Sequence, residues 1–172
     1  MRIVEIEPGL HLGDAEAYEG LRLWDDPRWT VIQAAKFPYH QQALGYSGRA
    51  APKDHPEYLL AWRGNRLVMN FIDAQQGGYV PSQMFDGALF AIRNALQQQR
   101  RVLVHCKHGE SRAVALVMAY LGLCGRMDKD FDRSVELFRS RYYPYADLGV
   151  GVTGYLRSNW GRYQPAGTNG AL

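Results

Sequence analysis

Residues 102–112 read Val-Leu-Val-His-Cys-Lys-His-Gly-Glu-Ser-Arg. A thiol, five intervening residues and a guanidinium at this spacing suit the transfer of a phosphoryl group to sulfur. The apolar run before His105 predicts a strand that carries Cys106 to the edge of a sheet. Gly109 permits the loop from Lys107 to Ser111 to wind its N–H groups around a tetrahedral anion. The long apolar helix opened by Arg112 points its positive end at the same spot. Arg112 adds a planar fork that matches two phosphate oxygens. An anion held there lies against the sulfur, so the constellation is a nucleophile inside an anion cradle. Only the thiolate attacks, so the thiol pKa must fall from ~8.5 into roughly the 3.5–7.5 range. The helix end, the loop amides and Arg112 supply that shift. A cysteine and an arginine alone would be a weak signal, because a buried cysteine at a strand end is ordinary. The combination with His105, Gly109 and the flanking apolar runs is specific.

The surrounding elements must bring other groups to this cradle. Ile3 to Leu12 predicts strands or a hairpin turning at Pro8-Gly9, and Asp14 is placed to cap a short helix to about Leu23. Residues 30–35 read as a buried parallel strand. Residues 36–57 hold Pro38, Gly45, Gly48, Pro52 and Pro56, and predict a long loop over the active face. Residues 67–72 form the next strand, ending at Asp73, and residues 75–78 provide flexible hinges. Apolar residues at helical spacing predict a helix from near Ser82 to about Gln99. The central strand is Val102 to His105. Arg112 to Leu123 is a buried helix with Gly125 near its end. Two further helices run from Asp128 to about Arg139 and from Val150 to Trp160.

Strands alternating with helices give an α/β fold: a single domain with a mainly parallel central sheet flanked by helices on both faces. Ligands of such sheets sit beyond the carboxyl ends of the strands. Asp73 and Cys106 both lie at such ends, so the topology brings them to one face. The domain is expected to span residues 1–163, with 164–172 as a flexible tail.

Composition agrees with a folded globule of one domain: 172 residues, 47% hydrophobic and 12% aromatic. No apolar run reaches the ~18 residues of a membrane span, and acidic residues stand where a signal peptide would have its apolar core. Two cysteines provide no disulfide framework, and a nucleophilic thiol favours a reducing compartment, so a cytoplasmic monomer is expected. The net charge of +3 is mild and its basic residues are scattered, which is no nucleic-acid footprint. His105, Cys106 and His108 crowd into four residues without a second ligand pair, so neither metal nor cofactor is expected.

The segment His105-Cys106-x-x-Gly109-x-Ser111-Arg112 resembles the signature loop of the cysteine-dependent protein tyrosine phosphatases, and most closely their compact dual-specificity branch. Residues 8–15, Pro-Gly-Leu-His-Leu-Gly-Asp-Ala, are similar to the opening strand and turn of that domain. The resemblance spans roughly residues 3–160 and is strongest at the loop. It implies a protein tyrosine phosphatase-like fold and a phosphocysteine intermediate on Cys106. It also implies an anion cradle of Lys107, His108, Gly109, Glu110, Ser111 and Arg112, with His105 organising the loop from behind by hydrogen bonding. Asp73 stands where the family places its general acid, 33 residues before the cysteine. An aspartate there would protonate the leaving oxygen and then serve as base on water. Asp86 is the rival, although it falls inside a helix pattern where a solvated face explains it.

Lys107 and His108 raise the potential of the mouth and Glu110 lowers it, which argues against a highly charged lipid headgroup; all three also read as ordinary loop residues. Ala113 departs from the family, which usually has serine or threonine after the arginine to donate to the sulfur. That substitution bears on hydrolysis of the phosphoenzyme rather than on phosphate binding. Asp147 is a loose counterpart of the family's asparagine before the last helix. Cys124 reads as a small core residue, with a redox partner for Cys106 as the alternative.

The leading functional reading is a phosphoric monoester hydrolase acting on phosphotyrosine, and on phosphoserine or phosphothreonine, in proteins. The alternatives are a phosphatase for a lipid, glycan or RNA 5′ end, and a phosphate-binding module with weak turnover. A sulfur-transfer enzyme of the rhodanese type would also use a strand–loop–helix cysteine, but would not need Asp73.

Overall fold

The structure, a computed structural model, describes residues 1–75 and 79–165. Residues 76–78 of the expected hinge and 166–172 of the expected tail lie outside the described residues.

Six strands form one sheet: β1 (Ile3–Glu7), β2 (Leu10–Asp14), β3 (Trp29–Gln33), β4 (Leu60–Arg63), β5 (Arg66–Met69) and β6 (Arg101–Cys106). Their order is β1-β2-β6-β3-β5-β4. β2, β6, β3 and β5 are mutually parallel, while β1 and β4 are antiparallel edges. The helices are α1 (Ala15–Gly20), α2 (Gln41–Leu44), α3 (Ser82–Gln97), α4 (Arg112–Leu123), α5 (Phe131–Arg141) and α6 (Val150–Asn159). β6, the central strand, enters α4 directly through the loop 107–111, as the apolar–loop–apolar pattern requires.

The alternation of side chains along β6 divides the molecule. Val102, Val104 and Cys106 belong to the larger core, which packs the sheet against α3 to α6. Every residue from Ala113 to Ala119 is fully buried there, so α4 is apolar on all sides and has no solvent face in that stretch. Leu103 turns the other way, into a smaller cluster with Tyr18, Trp29, Val31, Tyr39 and Val68.

Four expectations need correction. α1 ends at Gly20, and Leu23–Asp25 forms a separate 3-10 turn. The hairpin partner of β5 was missed: β4 precedes it across Gly64-Asn65, and Asn65 Nδ2 donates to the carbonyls of Leu23, Asp26 and Trp29 at 2.9–3.0 Å. Residues 36–57 are not all loop. Lys36–His40 makes a π-turn that leads into α2, and Tyr39, Ala43 and Leu44 pack on the smaller cluster, away from the cysteine. His40 is buried and ties the segment down, with Nε2 3.1 Å from Glu57 O and Nδ1 3.3 Å from Tyr46 Oη. Lys36 at its start and Ala50, Ala51 and Lys53 in its second half come near the active face, where they share a cavity with Ile72. Finally, Cys124 is not a core residue. It caps the C-terminal end of α4 in solvent, and both cysteines are free. A helix of twelve residues is roughly 18 Å long, so the two thiols at its opposite ends cannot pair directly.

Candidate active site

Cys106 ends β6 and is 2% exposed. The chain then turns through Lys107 and His108, both exposed, to Gly109, which is buried at φ +70°. A Cβ at position 109 would stand 2.6 Å from Gly13 O and 3.1 Å from Asp14 N, so only glycine lets the loop close against the end of β2. Ala15 N donates to Lys107 O at 3.3 Å from the same side. Ser111 precedes α4, and its carbonyl accepts from Ala115 N at 2.8 Å to begin the helix. The positive end of α4 therefore opens into the concavity beside the sulfur.

Arg112 leaves the first turn of α4. Its Nη1 donates to Phe71 O at 3.0 Å, and Lys36 N donates to the same carbonyl at 3.1 Å. Arg112 Nε is buried without a partner among the described residues. The Phe71 carbonyl thus holds the guanidinium beside the cradle while leaving donors free for an oxyanion.

Asp73 follows β5 by four residues and is exposed. A Cβ on Gly149 would stand 3.0 Å from Asp73 Oδ1 and 3.1 Å from Ser111 Oγ, which puts the carboxylate at the rim of the loop 107–111. Gly149 N donates to Ser111 Oγ at 2.8 Å, locking the start of α6 to the loop. At Gly151 a Cβ would meet Ala74 O at 2.1 Å. The small residues before and within α6 thus let this helix back the segment that carries Asp73. Asp86 is elsewhere: it lies on α3 and binds Arg162 Nη2 through both oxygens at 2.7 and 2.8 Å. The structure therefore brings Cys106, Arg112 and Asp73 together and leaves Asp86 out.

Glu110 is paired with Arg2, whose Nη1 lies 3.0 Å from Oε1 while its guanidinium covers the Tyr145 ring at 4.0 Å. This pair offsets the negative charge that the sequence places at the mouth. Asp147 does not reach the sulfur; its N–H donates to Glu110 O at 2.8 Å and its carboxylate is exposed. Ala113 is fully buried in α4.

His105 points to the opposite face from Cys106. Its ring stacks on Tyr18 at 4.8 Å and meets the Tyr39 edge at 5.1 Å. Neither ring nitrogen has a hydrogen-bond partner among the described residues. Burial pushes its pKa down to about 3, outweighing the smaller raising effects of the Cys106 backbone and of Asp14, so the ring is neutral. Its hold on the loop is by packing and through its carbonyl, which accepts from Ala34 N at 2.8 Å.

Sequence reasoning missed Arg2, Phe71, Gly149 and Gly151. A backbone carbonyl leaves no trace in residue type. The close glycines at 149 and 151 were a readable signal of a tight approach.

Residues 68–141 match the family model described as the dual specificity phosphatase catalytic domain. That stretch contains Asp73, Cys106 and Arg112. The matched stretch covers 74 of the 172 residues and is similar to the compact dual-specificity branch of the cysteine-dependent protein tyrosine phosphatases. No curated protein sequence gives a significant match. Solved structures establish the same fold at low identity. DUSP15 is 20% identical with a TM-score of 0.64, over 94% of this chain and 90% of that one. The human tyrosine phosphatase-like serine/threonine/tyrosine-interacting protein is 22% identical with a TM-score of 0.64, over 94% and 97%. A mouse putative dual specificity phosphatase complexed with zinc tungstate is 20% identical with a TM-score of 0.60, over 95% and 92%. The phosphatase described here is thus a cysteine-dependent enzyme. No helix among its described residues is long and apolar enough to cross a membrane.

Proposed function

We propose that this phosphatase hydrolyses phosphomonoesters on proteins, phosphotyrosine first and phosphoserine or phosphothreonine in addition, through a phosphocysteine on Cys106. The supporting observation is the convergence of the buried Cys106, the positive end of α4, Arg112 held by Phe71 O, and Asp73 at the rim. In the first step the Cys106 thiolate attacks phosphorus and the ester P–O bond breaks. Asp73 delivers its proton to the departing oxygen. In the second step Asp73 takes a proton from water, the water oxygen attacks phosphorus, and the S–P bond breaks to return the thiolate and release phosphate. Arg112 and the N–H groups of the loop 107–111 hold the equatorial oxygens throughout. Lys107 and His108, exposed at the mouth, meet the rest of the substrate.

The catalytic domain runs from residue 1 to 163, and the enzyme works as a cytoplasmic monomer needing no cofactor. A protein substrate is favoured over a polyphosphorylated lipid because the mouth carries the Arg2–Glu110 pair, which adds no net positive charge. The mouse protein of the same fold crystallised with tungstate, an oxyanion of phosphate-like shape, and this chain's cradle suits such a group. The test is turnover of phosphotyrosine peptides, phosphothreonine peptides and phosphoinositides, with Cys106→Ser as the blank. Phosphotyrosine peptides are expected to lead; preference for a phosphoinositide would reassign the substrate to lipid.

A further inference from the structure

The face of the sheet behind Cys106 carries a polar cavity that the phosphatase chemistry does not use. Its volume is about 260 Å³, and its lining includes Gln33, Tyr39, Gln42, Arg63 and Arg66. Gln33 is 0% exposed, yet neither its amide oxygen nor its amide nitrogen has a partner among the described residues. A buried amide left without partners costs roughly 1–3 kcal/mol, so such a group at a cavity wall calls for an occupant. An apolar residue would serve the core better if nothing were to bind. On strand β3, Gln33 lies beside His105 of β6 in register, and both side chains face this cavity's side of the sheet.

The charges select the occupant. Arg63 is neutralised by Glu57, with Nη1–Oε1 at 2.9 Å and Nη2–Oε2 at 2.8 Å. Arg66 makes only neutral contacts, from Nε to Arg63 O and from Nη1 to Tyr18 Oη, each at 3.3 Å. It has no ion pair among the described residues. Glu19, which accepts from Tyr39 Oη at 3.4 Å, borders an adjoining depression that Arg66 also lines. The residual charge of the site is therefore at most one positive, from Arg66. A phosphate dianion would be under-compensated next to Glu19 and Glu57, whereas a single carboxylate matches one guanidinium.

We infer that this cavity is a binding site for a small organic monocarboxylate, paired to Arg66 and hydrogen-bonded to the Gln33 amide. The site is separate from the phosphate cradle and does not depend on the substrate assigned to it. It abuts the cradle from behind, because Tyr39 and Tyr18 clasp the ring of His105, the residue before Cys106.

The experiment uses the full-length, nitrogen-15-labelled protein with vanadate filling the cradle, titrated with acetate, lactate and benzoate. The Gln33 side-chain amide and Arg66 Nε signals report directly. At least one acid is expected to shift both signals saturably, with affinity reduced tenfold or more in Arg66→Gln and unchanged in Arg93→Gln, on exposed α3 surface. If Arg66→Gln does not fold, Gln42→Trp closes the mouth from an exposed position and is expected to abolish the shifts. The inference is overturned if none of the three acids shifts Gln33 saturably, if the shifts fall on Lys107 and His108 instead, or if binding survives Arg66→Gln or, in its place, Gln42→Trp.

Discussion

Cys106 and His105 are neighbours in the chain and look into opposite environments. On the cysteine side, an all-apolar helix, an oriented helix end and one arginine surround a small open cradle. On the histidine side, two tyrosines clasp a neutral imidazole beside an unpartnered glutamine. The first face turns its few polar groups towards the open cradle. The second holds polar groups without hydrogen-bond partners among the described residues. Strand alternation makes this division possible, since one residue step reverses the face. The two faces still share β6, so a change on one is felt at the backbone of the other.

The strongest way to break this comparison is to remove groups from the cradle face alone. Cys106→Ser is expected to lower turnover by ~10⁴-fold or more while phosphate still binds, because a serine hydroxyl is not ionised there. Arg112→Ala is expected to lose both anion binding and activity. Calorimetric titration with phosphate separates these outcomes, and an active Arg112→Ala variant would rule out the proposed cradle.

Next in size is the acid. Asp73→Asn is expected to lower turnover of alkyl and phenyl phosphates by roughly 10²-fold or more, with a smaller loss for esters whose leaving groups need no proton. Asp86→Asn removes only its surface pair with Arg162, which is worth at most about 1 kcal/mol in stability, and leaves turnover intact. The reverse pattern in a leaving-group series would exchange their roles.

The histidine face is tested by acid rather than by substrate. The folded-state pKa of His105 is depressed to about 3, against ~6.5 unfolded. Between those values the unfolded chain binds a proton that the folded chain refuses, so stability is fully present above ~6.5 and falls as the pH drops towards 3. From pH 6.5 to 5 the loss is about 2 kcal/mol at the linkage limit. Burial depresses the pKa of His40 as well, which adds a slope of the same sign. Denaturant unfolding of His105→Asn across this range is expected to lose most of the slope. An unchanged slope would mean that the imidazole is solvated or charged in the folded protein.

Legibility from sequence followed the same division. The cradle was readable because its parts are consecutive: strand, cysteine, glycine and arginine lie within eleven residues, and apolar runs fix the elements around them. Asp73 was readable through topology, since it follows a parallel strand like Cys106 does. The hairpin β4–β5 was missed because Leu60–Arg63 is a short edge strand with an exposed tryptophan and a half-buried arginine. The π-turn at Lys36–His40 was missed because Pro38 and the later glycines read as loop, while burial of Tyr39 and His40 is a tertiary effect. Cys124 was misplaced because the apolar run of α4 continues up to it, and helix periodicity does not show where the helix leaves the core. Phe71 O and the contacts across Gly149 and Gly151 involve backbone atoms, which residue types barely encode.

The smallest expected effect sharpens the comparison most, because it concerns a group missing from the cysteine face. The family usually carries a hydroxyl where this chain has Ala113, and that hydroxyl donates to the sulfur. The histidine face does not make up the loss, since the His105 ring points away from Cys106. Ser111 Oγ is fixed at the start of α6 by accepting from Gly149 N at 2.8 Å, and its O–H is still free to donate. With alanine at 113 the thiolate has one donor fewer as a leaving group. On the proposed mechanism, formation of the phosphocysteine still has Arg112, the loop amides and Asp73, so only its breakdown is expected to slow. Rapid mixing with a chromogenic phosphate ester is expected to show a burst equal to one site, then slow turnover. A hydrogen bond to an ionised sulfur is worth ~1.5–3 kcal/mol, so Ala113→Ser is expected to speed the slow phase about tenfold or more and the burst much less. The absence of a burst, with no gain from Ala113→Ser, would mean that another group on the cysteine face already stabilises the sulfur.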